Sequence, residues 1–325
     1  MTATWRRLLG VLVLLAGLLT QGAPAIAAGA PSRAGDGARV VGEEWLSDRM
    51  VDLTIDSPAL DAESKVRLLV PPGWSATSHK RWPVLYLLHG CCGDYTSWTA
   101  LTDVEELTAR TGVLVVMPEA GNTGWYSNWW NGGRFGPPAW ETFHLTEVRQ
   151  LLERGYGAGG RRAIAGLSMG GFGTLSYAAR HPGMFRSAAS FSGVVDTRQG
   201  ADLVQGILAA YGFDPLALWG DPAAQERIWA AHNPTDLARR LRGIPVYVSC
   251  GDGRPGPFDD PARPVDTLEQ ALLAENEAFV ASARAARVRL TVNLYGPGTH
   301  SWPYWQRELH ASFPMLMRSV GARER

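Results

Sequence analysis

From residue 50 to the end of the chain, short apolar runs alternate with stretches whose apolar positions recur at helical spacing. Met50–Ile55 and Val66–Val70 predict two early strands joined by a turn at Ser57-Pro58. Val84–Leu88 and Val113–Met117 are almost wholly apolar, the pattern of strands buried on both faces of a parallel sheet. Leu101–Ala109 and Glu141–Arg154 carry helical spacing, and the second leads into a strand at Ala163–Ala165. The series continues with a helix at Gly170–Arg180, a strand at Ser187–Phe191, helical segments between Ala201 and Ala231, and a strand at Pro245–Val248. It closes with a helix over Thr267–Ala285, a strand at Val288–Leu294 and a last helix from Trp302 to about Arg318. Alternation of this kind predicts an α/β fold: a mostly parallel central sheet with helices on both faces and the site at the carboxyl ends of the strands.

Composition narrows this picture. Hydrophobic residues make up 46% of the 325 and charged residues 19%, which fits one large globular domain rather than a disordered chain. Lysine plus arginine equals aspartate plus glutamate at 31 each, so no net field draws in nucleic acid. The N-terminus places Arg6 and Arg7 before an apolar run from Leu8 to Leu19 and small residues around Ala25–Ala27, which reads as a secretory signal peptide over residues 1–27. That run is shorter than the roughly 20 residues of a spanning helix, so a secreted product with no integral membrane segment after cleavage is expected. Residues 28–44, rich in Ala, Gly and Ser, read as a flexible lead-in to a single domain over 45–325. Three cysteines allow at most one bridge, and neighbouring Cys91 and Cys92 could join only in a strained vicinal ring.

The sharpest chemical signal is Gly166-Leu167-Ser168-Met169-Gly170, a G-x-S-x-G run between a strand and a helix. Such a nucleophile elbow presents the serine hydroxyl above the sheet, and the flanking glycines avoid clashes that a Cβ would create. Serine needs a base, and in this arrangement the acid and then the histidine follow it in chain order. His300, directly after the final strand, fits; His79, His181, His232 and His310 lie in loop or helical settings that suit surface or structural roles. Spacing leaves the acid open among Asp252, Asp259, Asp260, Asp266 and Glu269. The Met169 amide, next to the nucleophile, is one expected oxyanion donor.

Several segments are similar to the antigen 85 mycolyltransferases, a branch of the esterase D group of α/β-hydrolases: LLHGCCGDYTSW at 87–98, VMPE at 116–119, GWYSNW at 124–129, WETF at 140–143, GLSMGG at 166–171 and GTHSWPYW at 298–305. The resemblance runs from about Trp45 to the end. It implies an α/β-hydrolase fold, a serine–glutamate–histidine triad with the glutamate on the helix after the penultimate strand, and hence Glu269 rather than Asp252. It also implies the Cys91 amide as second oxyanion donor, and His89, Cys92, Trp98 and Trp302 at the substrate. No cofactor or metal is implied; the expected partner is a small-molecule, lipid or glycan ester. The family's aspartate and arginine flanking the oxyanion residue are His89 and Cys92 here, which removes a charged pair for sugar hydroxyls and favours hydrolysis over transfer. A rival reading is a secreted binding module without chemistry, against which the full set of serine, glutamate and histidine counts. Trp125, Trp129, Trp130, Trp140, Trp302 and Trp305 are expected to border a lipid or glycan groove, and the loop holding Pro255, Pro257, Pro261 and Pro264 to act as a stiff flap.

Overall fold

The computed structural model describes residues 33–322; the expected signal peptide and the first residues of the lead-in lie outside the described residues. In chain order the strands are β1 (Arg39–Trp45), β2 (Met50–Ser57), β3 (Ala62–Leu69), β4 (Trp82–Leu88), β5 (Leu114–Pro118), β6 (Ala158–Leu167), β7 (Ala188–Phe191), β8 (Pro245–Cys250) and β9 (Arg289–Leu294). Among the described residues they form one nine-stranded sheet in the order β1-β2-β3-β5-β4-β6-β7-β8-β9. The pairs from β5 through β4 to β9 are parallel, whereas β1, β2, β3 and β5 pair antiparallel. The expected α/β-hydrolase architecture, mostly parallel, is what the chain adopts.

Side chains of β4 show why the apolar runs are continuous. Val84, Tyr86 and Leu88 pack into one core with Phe172, Leu175 and Phe279, while Leu85 and Leu87 enter the opposite core with Trp98, Leu309 and Phe313. Alternate residues of one strand thus feed two layers of helices, and every position must be apolar. One layer includes the helices Met169–Arg180 and Thr267–Ala285, the other the C-terminal helix Trp302–Val320.

The lead-in expected over residues 28–44 is overturned at its end, because Arg39–Trp45 is an ordered edge strand against β2. Its residues are half-buried or exposed and include Glu43 and Glu44, so it lacks the apolar density that marked the other strands. The helical stretch expected at 141–154 forms three pieces, Trp140–Thr142, a π-helical turn at Phe143–Val148 and Arg149–Gly155.

Register aligns the strand ends that matter. Leu88 of β4 sits beside Gly166 of β6, Leu167 beside Phe191 of β7, Phe191 beside Ser249 of β8, and Cys250 beside Leu294 of β9. The next residues along the chain are His89, Ser168, Ser192, Gly251 and Tyr295, so one sheet edge brings together five segments that sequence separates.

Candidate active site

Ser168 directly follows β6 with φ 54° and ψ −122°, a left-handed backbone that a non-glycine residue adopts only under constraint, at a cost of about 1–3 kcal/mol. Its amide donates to the Phe191 carbonyl (3.0 Å), and its carbonyl accepts from the amides of Phe172 (3.1 Å) and Val194 (3.3 Å). Glycine is required beside it: a Cβ on Gly166 would lie 2.3 Å from the Gly170 carbonyl oxygen, and one on Gly170 would lie 2.4 Å from that of Leu88. The hydroxyl-bearing residue is left half-buried above the sheet, at the head of the helix Met169–Arg180. Met169 is the first residue of that helix, so its amide has no intrahelical acceptor and adds to the partial positive charge there.

The loop after β4 lies directly on this turn. A Cβ on Gly90 would meet Leu167 Cδ1 at 2.8 Å and Ser168 Cβ at 3.1 Å, so only glycine lets the two backbones approach. Cys91 follows, half-buried, and then Cys92, exposed and left-handed at φ 65°.

His300, in the loop after β9, directs Nδ1 to Glu269 Oε2 at 2.6 Å. Glu269 is wholly buried in the first turn of the helix Thr267–Ala285. Its other oxygen, Oε1, accepts from the Gly251 amide (2.6 Å), the Ser192 hydroxyl (2.7 Å) and the Cys250 thiol (3.3 Å). These donors compensate the buried carboxyl group for its lost hydration. Trp305 Nε1 donates to Ser192 Oγ (3.1 Å), and its ring stands edge-on to the His300 imidazole at 4.8 Å. Asp266 caps the helix by accepting from the Glu269 amide (3.1 Å) and with its second oxygen accepts from the His300 amide (3.0 Å).

Asp252, the first topological candidate for the acid, faces elsewhere. It pairs with Arg254 at 2.6 Å, and although burial opposes its charge, the bonds and charge of Arg254 outweigh that and hold its carboxyl below the usual range.

The expected substrate contact at His89 is corrected. The side chain is fully buried, Nδ1 faces the Gly90 carbonyl (2.8 Å), and Nε2 accepts from the Ala120 amide (3.0 Å). Because Nε2 must accept, the proton sits on Nδ1 and donates to Gly90; burial lowers the imidazole's affinity for a second proton. Tyr126 reinforces the position by donating to the His89 carbonyl (2.8 Å). Trp98 is corrected likewise: only 1% exposed, it packs against Phe191 and Trp302 and offers no face to a ligand. Half-buried Trp302 bridges Trp98 and Trp305. Of the tryptophans expected to line a groove, Trp125, Trp129 and Trp305 are buried, Trp125 and Trp129 in one core and Trp305 in the other. A large apolar ring with a small polar tip is drawn inside wherever a packing partner exists, here Phe172 and Trp219 for Trp125.

A cleft of about 550 Å³ opens beside the His300 loop, lined by Phe258, Asp259, Asp260, Ala262, Arg263, Ser301 and Pro303. Neither Ser168 nor the Cys91 loop lines it. The proline-containing loop is pinned through Asp259, which accepts from Thr299 Oγ1 (2.7 Å), Tyr304 OH (2.6 Å) and the Gly256 amide (2.9 Å).

Sequence reasoning missed Ser192 and the linking role of Asp266. The weak signal for Ser192 was its place just after β7, level with the elbow; for Asp266 it was the cap position three residues before Glu269.

Comparison with known proteins identifies the family and the fold. The Esterase family model matches residues 57–316. The diacylglycerol acyltransferase/mycolyltransferase Ag85A of Mycobacterium ulcerans is 34% identical over 256 residues, 74% of each chain. Ag85B of Mycolicibacterium smegmatis is 32% identical over 286 residues, covering 83% of this chain and 85% of the relative. Among solved structures, MPT51 of Mycobacterium tuberculosis superposes with a TM-score of 0.69 at 24% identity, covering 84% of this chain and all of the other. The chain therefore belongs to the Esterase family, among the relatives of the antigen 85 acyltransferases.

Proposed function

We propose that the protein is a secreted serine esterase and acyltransferase that works through an acyl-enzyme, with hydrolysis the main outcome. The observation that carries this is the contact of half-buried His300 with buried Glu269 at 2.6 Å, held on the same sheet edge as the strained Ser168 elbow. In this reading Ser168 Oγ attacks the ester carbonyl as His300 Nε2 takes its proton. Glu269 fixes the proton on Nδ1, keeping Nε2 the basic nitrogen, and balances the imidazolium that forms. The amides of Met169 and Cys91 receive the oxyanion, each worth roughly 3–4 kcal/mol in the transition state. Collapse returns the proton from His300 to the leaving alcohol. Water or an acceptor hydroxyl then attacks the acyl-serine with His300 again as base.

Transfer to a hydroxyl is the second reading, favoured by the names of the 34% and 32% identical relatives. Water is preferred here because His89 is turned into the interior and Cys92 stands where the family has an arginine, so neither position presents a fixed charge to orient a sugar. The test is fluorophosphonate labelling together with turnover of acetyl to long-chain esters, with and without trehalose. Labelling that vanishes in Ser168→Ala and turnover that falls by several orders of magnitude in His300→Ala are expected, with free acid exceeding acylated sugar. Native-like turnover in either variant overturns the mechanism.

A further inference from the structure

The loop that seats Cys91 against the nucleophile elbow carries two thiols in direct contact. Cys91 Sγ and Cys92 Sγ are 2.9 Å apart, and the Tyr211 hydroxyl donates to Cys92 Sγ at 2.8 Å from just beyond the helix Ala201–Ala210. Exposure divides the pair: Cys92 is open to solvent, whereas Cys91 is half-buried. An exposed sulfur next to a partner that can resolve it is the arrangement of a thiol oxidation site. The left-handed backbone at Cys92 brings the two side chains together, though successive residues of an extended chain would point them apart.

We propose that Cys91 and Cys92 form a reversible oxidation site for hydroperoxides, and that closing the pair into a disulfide switches off the neighbouring oxyanion amide. The Cys92 thiolate attacks one peroxide oxygen, the O–O bond breaks, and hydroxide or alkoxide leaves, giving a sulfenic acid. The Cys91 sulfur then attacks the sulfenic sulfur; the S–S bond forms as water leaves. Two thiols are oxidised by two electrons and one peroxide is reduced. Tyr211 stabilises the attacking thiolate by hydrogen bonding, and burial, which pushes the Cys91 thiol up to about 12, leaves Cys92 to react first.

Coupling to catalysis follows from chain geometry. Consecutive Cα atoms are held about 3.8 Å apart across a trans peptide. Ordinary disulfides span about 4.4–6.8 Å between Cα atoms, so closure forces the backbone at Cys91 and Cys92 to move. The strained peptide joins Cys91 to Cys92 and pivots on the Cys91 Cα, so closure turns the adjoining Gly90–Cys91 peptide, whose N–H is the one proposed to hold the oxyanion. Loss of one such donor typically costs about 10²–10³ in turnover.

This inference rests on the proposed function, and the test separates the two. The purified full chain is reduced, assayed on a short-chain aryl ester, treated with hydrogen peroxide, and assayed again before and after dithiothreitol. Expected are an intact mass lower by two hydrogen atoms, a Cys91–Cys92 link in the peptide map with Cys250 unmodified, about a 100-fold fall in turnover, and recovery with dithiothreitol. Scaled to its own untreated activity, Cys91→Ser should be oxidised at Cys92 beyond the sulfenic stage and fail to recover. Tyr211→Phe should form the link more slowly. A reduced protein with no turnover and no fluorophosphonate labelling refutes the enzymatic reading, while the mass and peptide map still report the thiols. Full turnover in the linked protein, or a peptide map without the link after peroxide, overturns the oxidation site.

Discussion

His89 supports a prediction that separates two functions of one ring. Its Nδ1–H donates to the Gly90 carbonyl, which belongs to the same planar peptide as the Cys91 N–H, so fixing one fixes the direction of the other. Its Nε2 accepts from the Ala120 amide, a bond that anchors the loop after β5 and has no direct path to the oxyanion. In His89→Asn the side-chain amide nitrogen falls near the Nδ1 position and keeps the donor to Gly90 but strands the Ala120 amide. In His89→Gln the carboxamide oxygen falls near Nε2, keeps Ala120 and strands Gly90. Each variant leaves one buried polar group unpaired and a small void, so both should lose about 2–4 kcal/mol of stability. Their activities should diverge. With the Cys91 amide free to tilt, His89→Gln should lose about 10- to 100-fold in kcat, a fraction of what losing a whole oxyanion donor costs. His89→Asn should stay within about threefold of the parent, since the same donor remains in place. The assay is kcat on a short-chain aryl ester at a temperature well below both melting points, with calorimetry for stability. Equal losses in kcat, or an asparagine variant slower than the glutamine one, would refute the claim that His89 orients the amide proposed to hold the oxyanion.

Glu269→Gln should lose far more activity than Asp252→Asn on the same ester, because Asp252 is committed to Arg254 while Glu269 holds the imidazole; the reverse ranking moves the acid to the end of β8. Glu275 gives a pH prediction: burial pushes its carboxyl up to about 8, so the folded chain keeps a proton that the unfolded chain releases above about pH 4. The stability this group confers is therefore complete below about pH 4, falls steadily as the pH rises from there, and is fully lost once the pH has passed about 8. Glu275→Gln should melt close to the parent at pH 5 and above it at pH 9, by at most about 5 kcal/mol; an unchanged gap between the two pH values refutes the assignment.

How much of this was legible before the structure varied with the kind of information each feature needs. Runs such as Val84–Leu88 declare a doubly buried strand because two cores leave no room for a polar residue, and G-x-S-x-G between strand and helix declares the elbow because few other residues fit that turn. β1 reads as lead-in because an edge strand needs apolar residues on one side at most. His89 and Trp98 depart from expectation for a different reason. Their neighbours in the chain lie at the site, but the direction of each side chain depends on groups far away in sequence, the Ala120 amide for one and Phe191 with Trp302 for the other. Glu269 stood among several carboxylates until the resemblance singled it out, and the 2.6 Å contact with His300 is a tertiary fact that spacing cannot encode.

The loop between β8 and the Glu269 helix has a meaning for anyone wishing to alter substrate range. Its exposed, proline-containing surface beside the cleft invites grafting from a relative. Yet Asp259 fastens it to Thr299 and Tyr304 on either side of His300, and Asp266 at its far end holds the amides of both His300 and Glu269. The loop is thus a jig that sets the spacing of His300 from Glu269. A transplant that carries a new lining but leaves out those two aspartates would change the alignment of His300 along with the shape of the cleft, and, if His300 acts as proposed, selectivity and rate would then shift together.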